Sequence, residues 1–507
     1  MNKETNRTRV LVSLLVGMFI TGIEISIVAA AMPSIVAELG GFSLLSWVFS
    51  GFLLAQVVTI PIYGKLADLF GRKPVFVTGV VIFLVGSLGC GLATSMTMLI
   101  AFRLIQGIGA GSVQPTALTI VGDMYSLKER ARVQGYISSV FGTAAIIGPA
   151  IGGIFVQYTS WAWVFWINIP LGILTVMGIS LFFHEKVEKK NHRIDYLGSA
   201  LLFITISSLM FVLIQGGVGW AWFSVQGIIL GTLFLAGLVF LIVHERRVSD
   251  PVIPMTIWNN RVIAISNFAA LTAGTVMIGV SAFLPTYVQG IMGRSPMVAG
   301  FTLAGMTFGW PLAASMTGRL MLRLGPRKTA VAGGVMMVLG SLFLITLHPQ
   351  QGPVYAGIGA LFIGNGMGLT SVTFTVSVQN AVDWKMRGAA TASNQFMRIL
   401  GNTLGAALLG SILNSFMSSY LRAQAGNVQI PLGLDVTNLL LDPNQRQSLS
   451  QAAVEIMREG LAVSLHNVYL GVFALAVITL ALVVFLPKEI RSFHSSNASL
   501  HERSASL

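Results

Sequence analysis

The stretch GKLADLFGRK, Gly64 to Lys73, separates two long apolar runs and carries four charged residues in ten. It returns in degraded form as GRLMLRLGPRK, Gly318 to Lys328, an offset of 254 between the glycines at 64 and 318. Two further matches repeat at an offset of 257: Gly107-x-Gly109-x-Gly111 against Gly364-x-Gly366-x-Gly368, and Arg130 against Arg387. Chance could produce one such match. Three at a near-constant offset indicate two halves related in parallel. Parallel halves with a midplane binding site between them are one architecture of alternating-access transporters. The copies differ where charge matters. Asp68 corresponds to Leu322 and Pro149 to Ala406, so the coupling machinery is expected in the first half.

The composition around this repeat is that of a membrane protein. Hydrophobic residues make up 54% and charged residues 10%, against about 25% charged in a soluble domain. Apolar runs of about twenty residues mark membrane-crossing helices. They fall at 10–32, 43–63, 74–94, 98–122, 133–157, 161–183, 195–216, 223–243, 262–288, 297–321, 328–347, 354–377, 391–415 and 467–486, fourteen in all. The run from Val10 to Met32 is too long for the apolar core of a signal peptide and reads as a retained first span. With both termini on the cytoplasmic side of the cell membrane, 25 of the 31 Lys and Arg fall in cytoplasmic segments. That alternation is the positive-inside pattern. The net charge of +13 therefore reads as orientation and contact with anionic lipid, not nucleic-acid binding.

The expected fold is all-α: two six-helix bundles, residues 1–190 and 251–507, with an inserted helix pair at 191–250. The second bundle would include a long outer loop at 416–466 and a cytoplasmic tail. Within that loop Asp442-Pro443 looks like a helix start, and SLSQAAVEIMREGLAV is an amphipathic stretch leading into the last span. The single cysteine, Cys90, forms no intrachain disulfide, and no metal-ligand spacing occurs.

Of the 18 acidic residues, only Glu24 lies well inside a span, in GIEISIVAAAMP. The intramembrane bases are Arg103 and Arg398. Ionisable groups at such depth are costly and point to function. A carboxyl that loses a proton to hold a cation, and regains it to release one, is sufficient for exchange by competition. As the sole coupling acid, Glu24 would exchange one proton for one monovalent cation electroneutrally. A structural carboxyl bonded to a neighbouring helix is the alternative. Arg103 either approaches Glu24 or bonds helix carbonyls. Arg398 either packs and bonds carbonyls or meets a ligand.

Five stretches together resemble the major facilitator superfamily, and within it the fourteen-helix drug:proton antiporter branch. They are GIEISIVAAAMP, GKLADLFGRK, RLIQGIGAG (Arg103–Gly111), GPAIGG (Gly148–Gly153) and WAWVFWINIPLG (Trp161–Gly172). The resemblance covers nearly the whole chain. It implies that Gly64, Asp68, Gly71, Arg72 and Lys73 form an inner latch, with Arg72 paired to Asp123 and Arg130 nearby. Gly64 and Gly71 would allow close approach and a tight turn, and Asp68 would face a helix N-terminus. It implies that Arg103 takes part in proton movement. It further implies that Gly148, Pro149, Gly152 and Gly153 mark an antiporter, Pro149 kinking its helix and the glycines admitting a neighbour. Ala162 departs from the family pattern, which has Arg there, and puts any ion pair at that site in doubt.

Polar and aromatic residues in the spans expected to line a cavity are Gln56, Gln114, Phe283, Tyr287, Trp310, Gln379, Asn394 and Arg398. The expected function is export of lipophilic, often cationic compounds driven by the proton gradient. No cofactor is expected, and no Walker A motif is present. The expected partners are small-molecule substrates, protons and anionic lipids, around a monomer with accessory export proteins possible. A dedicated exporter of a metabolite, siderophore, peptide or lipid is the alternative. A channel or membrane enzyme has no support in any filter, acid cluster or His grouping.

Overall fold

A computed structural model describes residues 5–40, 44–185, 195–215, 220, 223–248, 251, 255–294, 296–424 and 450–487. The first group of helices is α1 (Arg7–Leu39), α2 (Leu45–Phe70), α3 (Arg72–Gly91), α4 (Met96–Met124), α5 (Leu127–Tyr158), α6 (Trp163–Trp166) and α7 (Asn168–Phe182). Next come α8 (Tyr196–Gln215) and α9 (Val225–Glu245). The rest are α10 (Met255–Trp258), α11 (Arg261–Thr286), α12 (Pro296–Ile345), α13 (Gly352–Asn380), α14 (Arg387–Gln424) and α15 (Gln451–Val484). Each of the fourteen expected spans falls on a helix, with α6 and α7 sharing one span and α12 carrying two. Eleven helices among the described residues are long and apolar enough to cross a membrane.

Helix starts follow local chemistry. The Ser95 hydroxyl accepts from Met98 N, and Ser224 accepts from Gly227 N. At α5 the Ser126 and Glu129 pair forms a capping box, which satisfies two orphan donors reciprocally.

GKLADLFGRK is not a loop. Gly64 to Phe70 belongs to α2, Arg72 and Lys73 to α3, and Gly71 alone makes the turn, with φ 93°. The repeat behaves in the same way: Gly325, φ 81°, is the single break inside α12. Only glycine takes such angles without strain.

The long outer loop is also shorter than expected. α14 continues to Gln424 and α15 begins at Gln451. Met417 and Leu421 pack with Met457, Leu461 and Leu465 in one buried cluster, and Tyr420 donates to Glu459 at 2.8 Å. That packing is why both helices run on beyond the apolar spans. The helix start is Ser450, which accepts from Ala453 N. Asp442-Pro443 lies outside the described residues.

Two seams join helices α1–α7 to helices α11–α15. In one, α2 packs against α14, with Leu54, Val57 and Val58 meeting Phe396, Met397 and Leu400. In the other, α5 packs against α12, where a Cβ on Gly135 would lie 3.1 Å from Ser315 Cα. α8 and α9 pack on each other, and α8 docks on α2 and α14. α9 leaves Ile228, Ile229, Leu235, Val239 and Phe240 exposed, the apolar surface that a lipid-facing helix presents.

Candidate functional site

Two buried polar clusters and one cavity place the sequence-predicted residues. The first closes one end. Arg72, 1% exposed, is held by three carboxylates: Asp68 at 3.0 Å, Asp123 at 3.2 Å and Glu185 at 3.7 Å. Its guanidinium also donates to the Trp384 carbonyl at 2.9 Å and lies 3.9 Å from the Trp384 ring centre. Asp68 accepts from Gly388 N at 2.9 Å and Ala389 N at 2.7 Å, in the first turn of α14. Negative charge is favoured there, where unpaired N–H groups point. Gly64 lets the two helices meet: a Cβ on it would stand 2.3 Å from Ala392 Cβ.

Asp123 pairs with Arg387 at 2.7 Å, and Arg130 reaches Asn380 at 3.1 Å and the Gly122 carbonyl. Gln379 donates to Leu118 O at 3.1 Å. Residues Gly64, Asp68, Gly71, Arg72, Asp123 and Arg130 thus gather at one place, and their partners Gln379, Asn380, Trp384, Arg387, Gly388 and Ala389 come from the other group of helices. Lys73 does not cross over. It donates to Ser180 O and Phe183 O, both at 2.7 Å, at the end of α7. Glu185 caps α3 by accepting from Arg72 N at 2.7 Å and Lys73 N at 3.1 Å, and burial nonetheless pushes its carboxyl above the usual range.

The second cluster surrounds Glu24, which is fully buried. Arg103 Nη1 meets Glu24 Oε1 at 2.5 Å, and Asn168 donates to Oε2 at 2.8 Å. Arg103 also donates to Gln106 Oε1 at 2.8 Å and Val48 O at 3.0 Å, and its guanidinium carbon lies 4.3 Å from the Phe52 ring centre. Ser87 joins Gln106 and Asn168. Both options for Arg103 are therefore realised at once. In this arrangement both Glu24 oxygens are occupied, and neither Arg103 nor Asn168 lines the cavity described next.

The third feature is a narrow, partly open cavity between the two seams, lined by residues of α4, α5, α11, α13 and α14. Of the eight residues expected to line it, Gln114, Asn394 and Arg398 do. The other five do not. Tyr287 is 4% exposed, donates to Leu347 O at 2.9 Å and sits against Tyr469. Phe283 belongs to the same buried core, and Trp310 packs at its edge. Gln379 is taken up by the closed end, and Gln56 is half-buried on α2 outside the cavity. A tyrosine with its hydroxyl satisfied is an ordinary core residue, which the sequence could not reveal. Gln134 and Gln395 line the cavity and were not singled out.

The GPAIGG segment lies within α5, which runs unbroken from Leu127 to Tyr158. A Cβ on Gly148 would meet Ser26 of α1, so this glycine does admit a neighbour. Gly153 does not: nothing lies within 4 Å of its Cβ position. Gly152 is buried.

Of the functional residues not anticipated, Asn168 and Gln106 had a signal, since both stand inside WINIPLG and RLIQGIGAG. Trp384 had none.

Comparison with known proteins agrees with this architecture. The chain is 34% identical over 498 residues to the multidrug transporter protein MdtP of Bacillus subtilis (strain 168), spanning 94% of this chain and 92% of that protein. It is 31% identical over 490 residues to multidrug resistance protein 3 of the same bacterium, spanning 96% and 95%. Among solved structures it is similar to the proton:xylose symporter XylE bound to 6-bromo-6-deoxy-D-glucose, with a TM-score of 0.63 over 96% of this chain and 98% of that one. At 13% identity that likeness concerns the fold alone. The profile of the Major Facilitator Superfamily matches residues 14–406. This multi-pass membrane chain belongs to the major facilitator superfamily of transporters.

Proposed function

We propose that the protein is a proton-coupled multidrug efflux antiporter of the cell membrane, exporting lipophilic compounds by alternating access. Its two six-helix halves would rock about the cavity, with α8 and α9 as the inserted pair and both termini cytoplasmic. The observation that carries this reading is the end cluster. Asp68, Arg72, Asp123 and Arg130 on one group of helices bind the start of α14 and the end of α13 on the other. Such a set of contacts is a latch that must open for the cavity to face that side. The names of the two Bacillus relatives support multidrug cargo.

Glu24 is the proton carrier in this reading. Protonation would cancel its pairing with Arg103 and leave a buried guanidinium seeking new partners, so proton and cargo communicate through helix rearrangement. The energy source is the proton gradient, with no cofactor. The transporter works as a monomer in contact with anionic lipid, and accessory export proteins remain compatible with it.

The test is expression in a drug-sensitive host, followed by efflux in everted vesicles with an imposed pH gradient. The wild type should confer resistance and release protons as drug moves. Glu24→Gln should lose proton-coupled efflux while retaining binding. Undiminished proton-coupled efflux in that variant would defeat the coupling assignment.

A further inference from the structure

The cavity between the seams holds a cation without a counter-charge. Arg398 lines it from α14. Its Nε is shielded from solvent and has no hydrogen-bond partner. None of the ion pairs among the described residues involves it. The Ser371 hydroxyl, in the same cavity, is likewise buried and unpartnered. None of the twelve lining residues is Asp or Glu. The buried acids nearest in function are committed elsewhere: Glu24 to Arg103 and Asn168, Asp68 and Asp123 to the end cluster. The remaining wall includes Ala270, Ala273, Met367 and Phe374, which offer apolar contact.

A guanidinium is a pure donor and stays charged. Buried without a partner it is costly, and the usual remedies are a carboxylate or a carbonyl. Among the described residues, neither reaches the shielded Nε of Arg398. The chemistry that completes the site is an oxyanion, which accepts from the guanidinium fork and from a hydroxyl together. A cation would face the same field with the opposite sign and no carboxylate to hold it.

We propose that this cavity selects amphipathic compounds bearing a carboxylate or similar oxyanion, held by Arg398 with Ser371 as a second donor, in preference to cations. The proposal rests on the proposed function, with this cavity as the cargo site. It replaces the cationic preference expected from the sequence.

The test uses the full-length protein, purified in detergent, with three probes on one scaffold: a naphthylalkyl carboxylate, its primary amide and the corresponding primary ammonium. Binding is read by calorimetry. The wild type should bind the carboxylate at least roughly ten-fold more tightly than the ammonium. Arg398→Gln should lose that factor for the carboxylate and leave the amide within about two-fold, while Arg398→Lys and Ser371→Ala should each lose only part of it. Equal or tighter ammonium binding by the wild type would overturn the proposal, whether or not Arg398→Gln folds. So would an equal loss for all three probes in Arg398→Gln, or no binding of any. Transport of the same probes by reconstituted protein is read separately. Selective binding without export would sink the efflux reading and leave the charge preference standing.

Discussion

Replacing Asp68 by Asn tests the closed end most directly. The carboxylate side chain is 6% exposed and accepts from Gly388 N, Ala389 N and Arg72 Nη2 at 2.9, 2.7 and 3.0 Å. The first two bonds tie α2 to α14. A hydrogen bond to a charged group is worth about 1.5–3 kcal/mol. Asparagine keeps one acceptor oxygen and turns an amide NH2 toward a backbone donor, so one such bond is lost outright and the other loses its charge. Arg72 stays in place on Asp123 and Glu185. The closed arrangement should lose about 2–3 kcal/mol relative to the open one, or roughly 30- to 150-fold in their population ratio. The assay introduces Thr375→Cys, a cavity position, and follows its reaction with a membrane-impermeant maleimide from either side of oriented vesicles. The native Cys90 is fully buried and gives no background. Access through the Asp68 end should rise by at least roughly ten-fold in Asp68→Asn. Rates unchanged within about two-fold, in protein that melts normally, would refute the idea that these bonds hold the end shut.

Other expectations follow from the same contacts. Glu24→Gln and Arg103→Gln should each lower thermal stability by about 3–5 kcal/mol, because each leaves a buried charge alone. The double variant should lose much less than their sum, and simple additivity in detergent melts would contradict the buried pair. Gly64→Val should widen the α2–α14 seam, since the added Cβ starts 2.3 Å from Ala392 Cβ, at about 1–3 kcal/mol for overpacking. It should raise labelling of Thr375→Cys as Asp68→Asn does, whereas Gly153→Val, facing open space, should not. Burial raises the Glu185 carboxyl above its ordinary value of 4.5. The folded chain then holds more protons than the unfolded one, so this group's contribution to stability falls as pH rises from that value through the raised one. Melting curves of Glu185→Gln should show a flatter decline over that window; an identical slope would remove Glu185 as its source.

The helices were legible because length and hydropathy decide whether a segment can lie in lipid, and Lys and Arg mark its ends. The reach of α14 and α15 beyond their apolar spans was not, since Met417, Leu421 and Met457 owe their burial to each other. Asp68 could be read as facing a helix N-terminus, yet only the fold identifies that helix as α14. Depth marked Glu24, Arg103 and Arg398 as intramembrane charges but left open whether Arg103 met Glu24 or helix carbonyls; it bonds both Glu24 and the Val48 carbonyl. Cavity walls were the least legible. Membrane helices are apolar toward lipid as well as toward the core, so apolar periodicity does not separate a core tyrosine such as Tyr287 from a lining glutamine such as Gln134.

Two of the positive-φ glycines, Gly71 and Gly325, stand at equivalent places in the repeat, but only the first has an aspartate three residues before it; the second has Leu322. One copy of the turn therefore carries a carboxylate and the other does not, on the same backbone. Each variant at Gly71 can be matched by one at Gly325, where a backbone defect has no Asp68 contact to disturb. Damage common to both sites measures what the turn needs in order to fold, and the remainder at Gly71 isolates what the Asp68 contact adds.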